Sequence, residues 1–62
     1  MSQVEIAVDI KVTTDKAILV SDGSLEVWIP LSQVTDYTDE IEAGASITIF
    51  ISEWLAQEKG LI

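Results

Sequence analysis

The stretch Val4-Glu5-Ile6-Ala7-Val8-Asp9-Ile10-Lys11-Val12 decides the reading of this chain. β-Branched apolar residues hold the five even positions, and Glu5, Asp9 and Lys11 stand between them, with Ala7 the one apolar residue out of step. A period of two puts alternate side chains on opposite faces of a strand, whereas a helix would scatter them around its axis. The stretch therefore predicts a half-buried strand over 3–13 with its even positions facing a core.

Working outward, Thr14-Asp15-Lys16 reads as a turn, with Asp15 able to accept from nearby backbone amides. Ala17–Ser21 is a short apolar run followed by Asp22-Gly23. Asp-Gly between two strand-forming runs predicts a hairpin closed by a type I′ turn, since that turn needs positive φ at both central residues. Its strands would cover 17–21 and 24–30, with Leu25, Val27 and Ile29 on one face and Glu26 and Trp28 on the other. Pro30 has no amide hydrogen to give a ladder, so the strand ends there or lies at an edge. Leu31-Ser32-Gln33-Val34 reads as one tight helical or 3-10 turn, and residues 35–44 as a polar connection. Alternation resumes at Ala45, with Ile47, Ile49 and Ile51 against Ser46, Thr48 and Phe50, and predicts a strand over 45–51. Ser52 is a fitting helix N-cap and Glu53 suits the positive end of the helix dipole. Gly60 fits the left-handed position after the last turn. A helix over 53–59 follows, too short to stand without Trp54 or Leu55 pinning it to the sheet.

Composition agrees with a mostly β fold. The chain has 62 residues, one domain's worth, with three lysines against eleven carboxylates and a net charge of −8. A domain of this size buries only about 60% of its unfolded surface. No cysteine or histidine is present. Disulfides, zinc knuckles, the common transition-metal ligands and the usual nucleophile–base pairs are thereby removed. Hydrophobic residues reach 48%, which separates the chain from disordered acidic tails. No apolar run approaches the roughly 18 residues of a membrane span, and no secretory signal is visible, so a soluble cytoplasmic protein is the expectation. The acidity makes binding to nucleic acid unlikely.

Two resemblances bear on these readings. Val27-Trp28-Ile29-Pro30-Leu31-Ser32-Gln33-Val34, with the hairpin before it, resembles the end of an SH3 domain, where an aromatic-Ile-Pro strand runs into a 3-10 turn. It implies an SH3-like small barrel or a related open β-barrel. Only Pro30 matches that family's peptide groove, and Gln33 stands where the family has a tyrosine. Over residues 12–62, Lys16-Ala17-Ile18-Leu19-Val20, Trp28-Ile29-Pro30-x-Ser32-Gln33-Val34 and Trp54-Leu55-Ala56-x-Glu58-Lys59-Gly60-Leu61-Ile62 resemble a class of short uncharacterised bacteriophage and prophage proteins. That resemblance implies a phage or mobile-element source, hence a host cytoplasm, and brings no activity with it.

Together these predict one domain over 1–62, of four to five antiparallel strands and a short C-terminal helix. Its candidate site is a set of partner-binding residues and includes no catalytic or metal-ligating group and no cofactor. Asp36, Asp39, Glu40 and Glu42 crowd one connection. They lack the spacing and central glycine of a calcium loop and suit a docking surface for a basic protein partner. Trp28 and Trp54 are the candidate anchors of a contact. Trp28, facing away from Leu25, Val27 and Ile29, should lie under the C-terminal helix or at a subunit contact. The eleven carboxylates could also imitate a phosphate backbone and block a host nucleic-acid or defence enzyme. Other readings are a structural or assembly module that forms a homo-oligomer, suggested by the apolar Leu61-Ile62 end, and a nucleotide or single-strand binder using Trp28 and Trp54, which would want more lysines around them.

Overall fold

A computed structural model describes residues 2–62. Five strands, β1 (Gln3–Thr13), β2 (Ala17–Ser21), β3 (Glu26–Pro30), β4 (Asp36–Tyr37) and β5 (Ser46–Ser52), form one sheet in the order β3-β2-β1-β5-β4. Every neighbouring pair is antiparallel. A 3-10 turn, Leu31–Gln33, follows β3, and a helix, α1 (Glu53–Glu58), follows β5. The architecture is mostly β, as the alternation predicts, but the sheet does not close: β3 and β4 remain its two edges.

The period-two pattern sorts the sheet into two faces. Ile6, Val8 and Ile10 of β1, Ile18 and Val20 of β2, and Ile47, Ile49 and Ile51 of β5 are buried on the inner face. Isoleucine supplies seven of the eleven buried apolar residues, and no aromatic ring is among them. Stiff β-branched side chains pack well on a pleated surface, and each buried isoleucine contributes about 1.5–3 kcal/mol relative to exposure. Leu55 and Ala56 bring α1 onto this inner face.

The helix ends follow their sequence signals. Ser52 Oγ accepts from the Leu55 amide at 3.1 Å. At the other end the Gly60 amide donates to Gln57 O at 3.1 Å and the Leu61 amide to Ala56 O at 2.9 Å. With Gly60 at φ +77° this is a Schellman closure, which only glycine enters without steric cost. Leu61 packs against the core, while Ile62 is 56% exposed.

Several expectations need correction. The alternation in β1 breaks after Ile10. Partners run Ile10↔Val20 and then Val12↔Leu19, so Lys11 is the extra residue of a β-bulge. Val12 is thereby turned to the outer face and is 41% exposed. Thr14, not Asp15, closes the first turn: its amide donates to Ala17 O at 2.9 Å and its Oγ1 accepts from the Ala17 amide at 3.0 Å. The Asp-Gly hairpin is not a two-residue type I′ turn. Ser21 pairs with Glu26, leaving a four-residue loop 22–25 in which Gly23 alone has positive φ. The Asp22 carboxylate holds that loop, accepting from the Ser24 amide at 2.8 Å and the Leu25 amide at 3.0 Å. β3 accordingly begins at Glu26 rather than at residue 24, β5 is shifted by one residue at both ends, and α1 ends one residue earlier. The polar connection hides the two-residue β4, held by the Thr35 amide to Phe50 O at 2.9 Å and the Thr38 amide to Thr48 O at 3.0 Å.

Candidate interaction surface

The outer face of the sheet gathers what the inner face excludes. All eleven carboxylates of the chain are exposed. The register places four of them, Glu5, Asp9, Glu26 and Asp36, on this one face. They fall in two ranks across the strands. One rank runs Glu26, Ser21, Asp9, Ser46, and the other Glu5, Phe50, Asp36. Within a rank the carboxylates sit two strands apart, about 9–10 Å, and the ranks are four residues apart along β1, about 13 Å. No lysine shares these ranks. Lys11 stands two residues beyond Asp9 on β1, Lys16 lies in the turn just before β2, and Lys59 follows the helix.

Between the ranks the surface dips. Ala7 and Thr48 face each other across β1 and β5, and their short side chains leave a shallow polar groove of about 300 Å3. Asp9, Ser46 and Thr38 border it, and the hairpin loop Ser21-Asp22-Gly23 closes one end. Ser46 Oγ donates to Asp9 Oδ1 at 2.6 Å, fixing that carboxylate over the rim. The Leu25 and Ser24 amides hold the Asp22 carboxyl below its ordinary pKa, because both hydrogen bonds favour the ionised form. Asp22 therefore stays negative under any mild condition.

The sequence-derived residues do not form one cluster. Asp36 joins Glu5, Asp9 and Glu26. Its Oδ1 accepts from the Tyr37 amide at 2.8 Å, at the β4 edge. Asp39, Glu40 and Glu42 are exposed on the adjoining connection. That connection is tied down by half-buried Ile41 and by the Gly44 amide donating to Ile10 O at 2.8 Å. Trp28 lies on the outer face at the opposite edge, paired with Leu19 and 45% exposed, so it is not under the helix. Trp54 is on α1 in the other layer and 65% exposed, and Leu55 rather than Trp54 pins the helix. Among the described residues no group of three or more His, Cys, Asp or Glu is placed to hold a metal ion. Glu5, Asp9 and Glu26 belong to the eleven carboxylates of the mimic reading but lie outside the 36–42 run that the sequence singles out for docking. Their signal was available: Glu5 and Asp9, four residues apart on a strand, must share a face.

A second opening lies on the inner side, between the end of β1 and β4. Thr13, Ile18, Leu31, Val34, Tyr37 and Ile41 are among the residues lining this apolar mouth of about 450 Å3.

The chain matches no known protein-family model, no curated protein and no solved structure. Among the described residues no helix is long and apolar enough to cross a membrane.

Proposed function

We propose that this chain is a non-catalytic binding module that docks a basic protein surface onto the acidic outer face of its sheet. The observation that carries this reading is the paired ranks Glu26/Asp9 and Glu5/Asp36, four exposed carboxylates on one face with no lysine within either rank and Lys11 alone beyond Asp9 on β1. Like charges gathered on a rigid strand surface raise the local negative potential, which speeds encounter with a basic patch and turns acidic partners away. The Asp39-Glu40-Glu42 connection extends the same potential past the β4 edge.

The resemblance of residues 12–62 to short phage and prophage proteins supports a host protein as the partner. Imitation of a nucleic-acid backbone is the special form of this function that would make the module an inhibitor. The separations of about 9–10 and 13 Å favour general charge complementarity over a close copy of a phosphate rail. The test is capture from host lysate on immobilised chain at low and high salt. A quadruple variant, E5Q/D9N/E26Q/D36N, serves beside a loop variant, D39N/E40Q/E42Q. Docking by the outer face predicts a partner that elutes as salt rises and is lost with the quadruple variant. Equal capture by wild type and quadruple variant would refute it. Release of the partner by added duplex DNA would point to the mimic form.

A further inference from the structure

Strand β3 is an edge with one side unpartnered, and its hydrogen-bonding pattern is set by its neighbours. The Asp22 amide donates to Leu25 O at 3.2 Å and the Leu31 amide to Lys16 O at 2.8 Å. In an antiparallel ladder bonded pairs alternate. The bonded pairs along β2 and β3 are therefore Ile18/Ile29 and Val20/Val27, and the main-chain groups of Glu26, Trp28 and Pro30 point away from the sheet. Pro30 sits where a missing amide hydrogen costs the sheet nothing. On the outer face, Trp28 continues an apolar row through Leu19 to Val12, the residue that the β-bulge turned outward.

We propose that β3 pairs antiparallel with β3 of a second copy of this chain, about a two-fold axis beside Trp28. In that register each Trp28 amide meets the Trp28 carbonyl of the other copy. Each Glu26 amide meets the other copy's Pro30 carbonyl. The rows Val12-Leu19-Trp28 become continuous across the junction, covering apolar surface that each copy leaves open. Charge selects this register. The acidic Asp22–Glu26 end of one edge lies against the end of the other that carries Lys16 and Asp15, whose charges cancel. Centring on Glu26 instead would set the two glutamates against each other. Because the same patch serves both copies, the pairing closes as a dimer. Pro30 stops the ladder from running further, and the two-residue β4 gives no second edge for a filament.

The pairing is independent of the acidic docking function, and salt separates them. Two chains of charge −8 repel, so added salt strengthens the dimer, whereas it weakens docking to a basic partner. A five-residue edge makes an interface below the standard 1,200–2,000 Å2 class, roughly, so association belongs at high concentration. The test is sedimentation equilibrium of the full chain from about 10 μM to about 1 mM, at low and high salt, with amide hydrogen exchange by NMR over the same range. The expected result is a monomer–dimer equilibrium that tightens with salt, with the Glu26 and Trp28 amides alone gaining protection as concentration rises. Trp28→Glu, at an exposed position, should raise the dissociation constant at least about tenfold, whereas Trp54→Glu should leave it unchanged. A monomer throughout, or a dimer whose newly protected amides lie outside β3, overturns the proposal. If Trp28→Glu does not fold, the exchange pattern of the unaltered chain still decides.

Discussion

Replacing Ile49 with alanine tests the face assignment on which the whole account stands. Ile49 is fully buried on β5, with Ile6 of β1 beside it on one flank and Tyr37 of β4 on the other. Removing a buried isoleucine side chain to its Cβ costs about 2–5 kcal/mol, the upper part of the range applying where neighbours cannot collapse into the space. The backbone ladders on both flanks of β5 limit such collapse, which places the loss at about 3–4 kcal/mol. A chain of 62 residues has a total stability of about 3–9 kcal/mol at the usual stability per residue, so Ile49→Ala should leave the protein marginal. Its melting temperature should fall by about 12–30 °C. Trp28→Ala removes a larger side chain, but one that is 45% exposed on the outer face, and should cost under about 1.5 kcal/mol. Urea unfolding followed by far-ultraviolet circular dichroism measures both. A one-residue slip of register would exchange the two faces and reverse the ranking. If Trp28→Ala proves the more damaging substitution, the inner and outer faces are misassigned and the acidic ranks do not exist.

Other predictions concern the chain's local closures. Gly60→Ala should cost about 1 kcal/mol: φ of +77° strains any residue with a Cβ, while the added carbon would stand 3.7 Å from Leu25 Cδ2, an ordinary contact, so Gly60→Asn should cost less. Ser52→Ala removes the side-chain acceptor of the Leu55 amide and should cost about 1 kcal/mol, with Ser52→Asp recovering most of it; urea midpoints rank the three. Asp22 carries a pH dependence whose sign is fixed. Its folded pKa lies below the ordinary 3.8, so its contribution is present above that value and is lost as pH falls through the folded pKa. Asp22→Asn keeps an oxygen for the Ser24 and Leu25 amides and should flatten the acid limb of stability against pH below about 4, and an NMR carboxyl titration of Asp22 should have its midpoint below 3.8.

Much of the fold was legible because period two is written without ambiguity. Val4 through Ile10 and Ile47 through Ile51 carry one face each of the two central strands, and Ser52 and Gly60 bracket the helix by local chemistry that needs no tertiary partner. The departures are tertiary in origin. The bulge at Lys11 is chosen by how β1 must pair with β2 while Ile10 and its neighbours pair with the far flank, and nothing in Lys11-Val12 itself announces it. The Asp22 loop widened because its carboxylate captured two amides, an alternative to the tight turn that the dipeptide equally permits. β4 is two residues long and is held by backbone bonds from Thr35 and Thr38, too short to leave any periodic mark. The acidic surface was half legible. Asp36 and the 39–42 carboxylates stand out as a run, whereas Glu5, Asp9 and Glu26 join them only through cross-strand register. Trp28 and Trp54 attract notice as large aromatics, yet a core of seven isoleucines leaves them outside, in different layers.

The most direct test of the central claim is the salt titration of partner capture with the quadruple variant E5Q/D9N/E26Q/D36N as its control. The screening length falls from about 10 Å at 0.1 M to about 3 Å at 1 M salt, well inside the spacing of the carboxylate ranks. A partner held by those ranks must be released over that range, and a folded quadruple variant must fail to capture it at any salt. Retention of the partner in about 1 M salt, or its capture by the quadruple variant at low salt, would contradict the account.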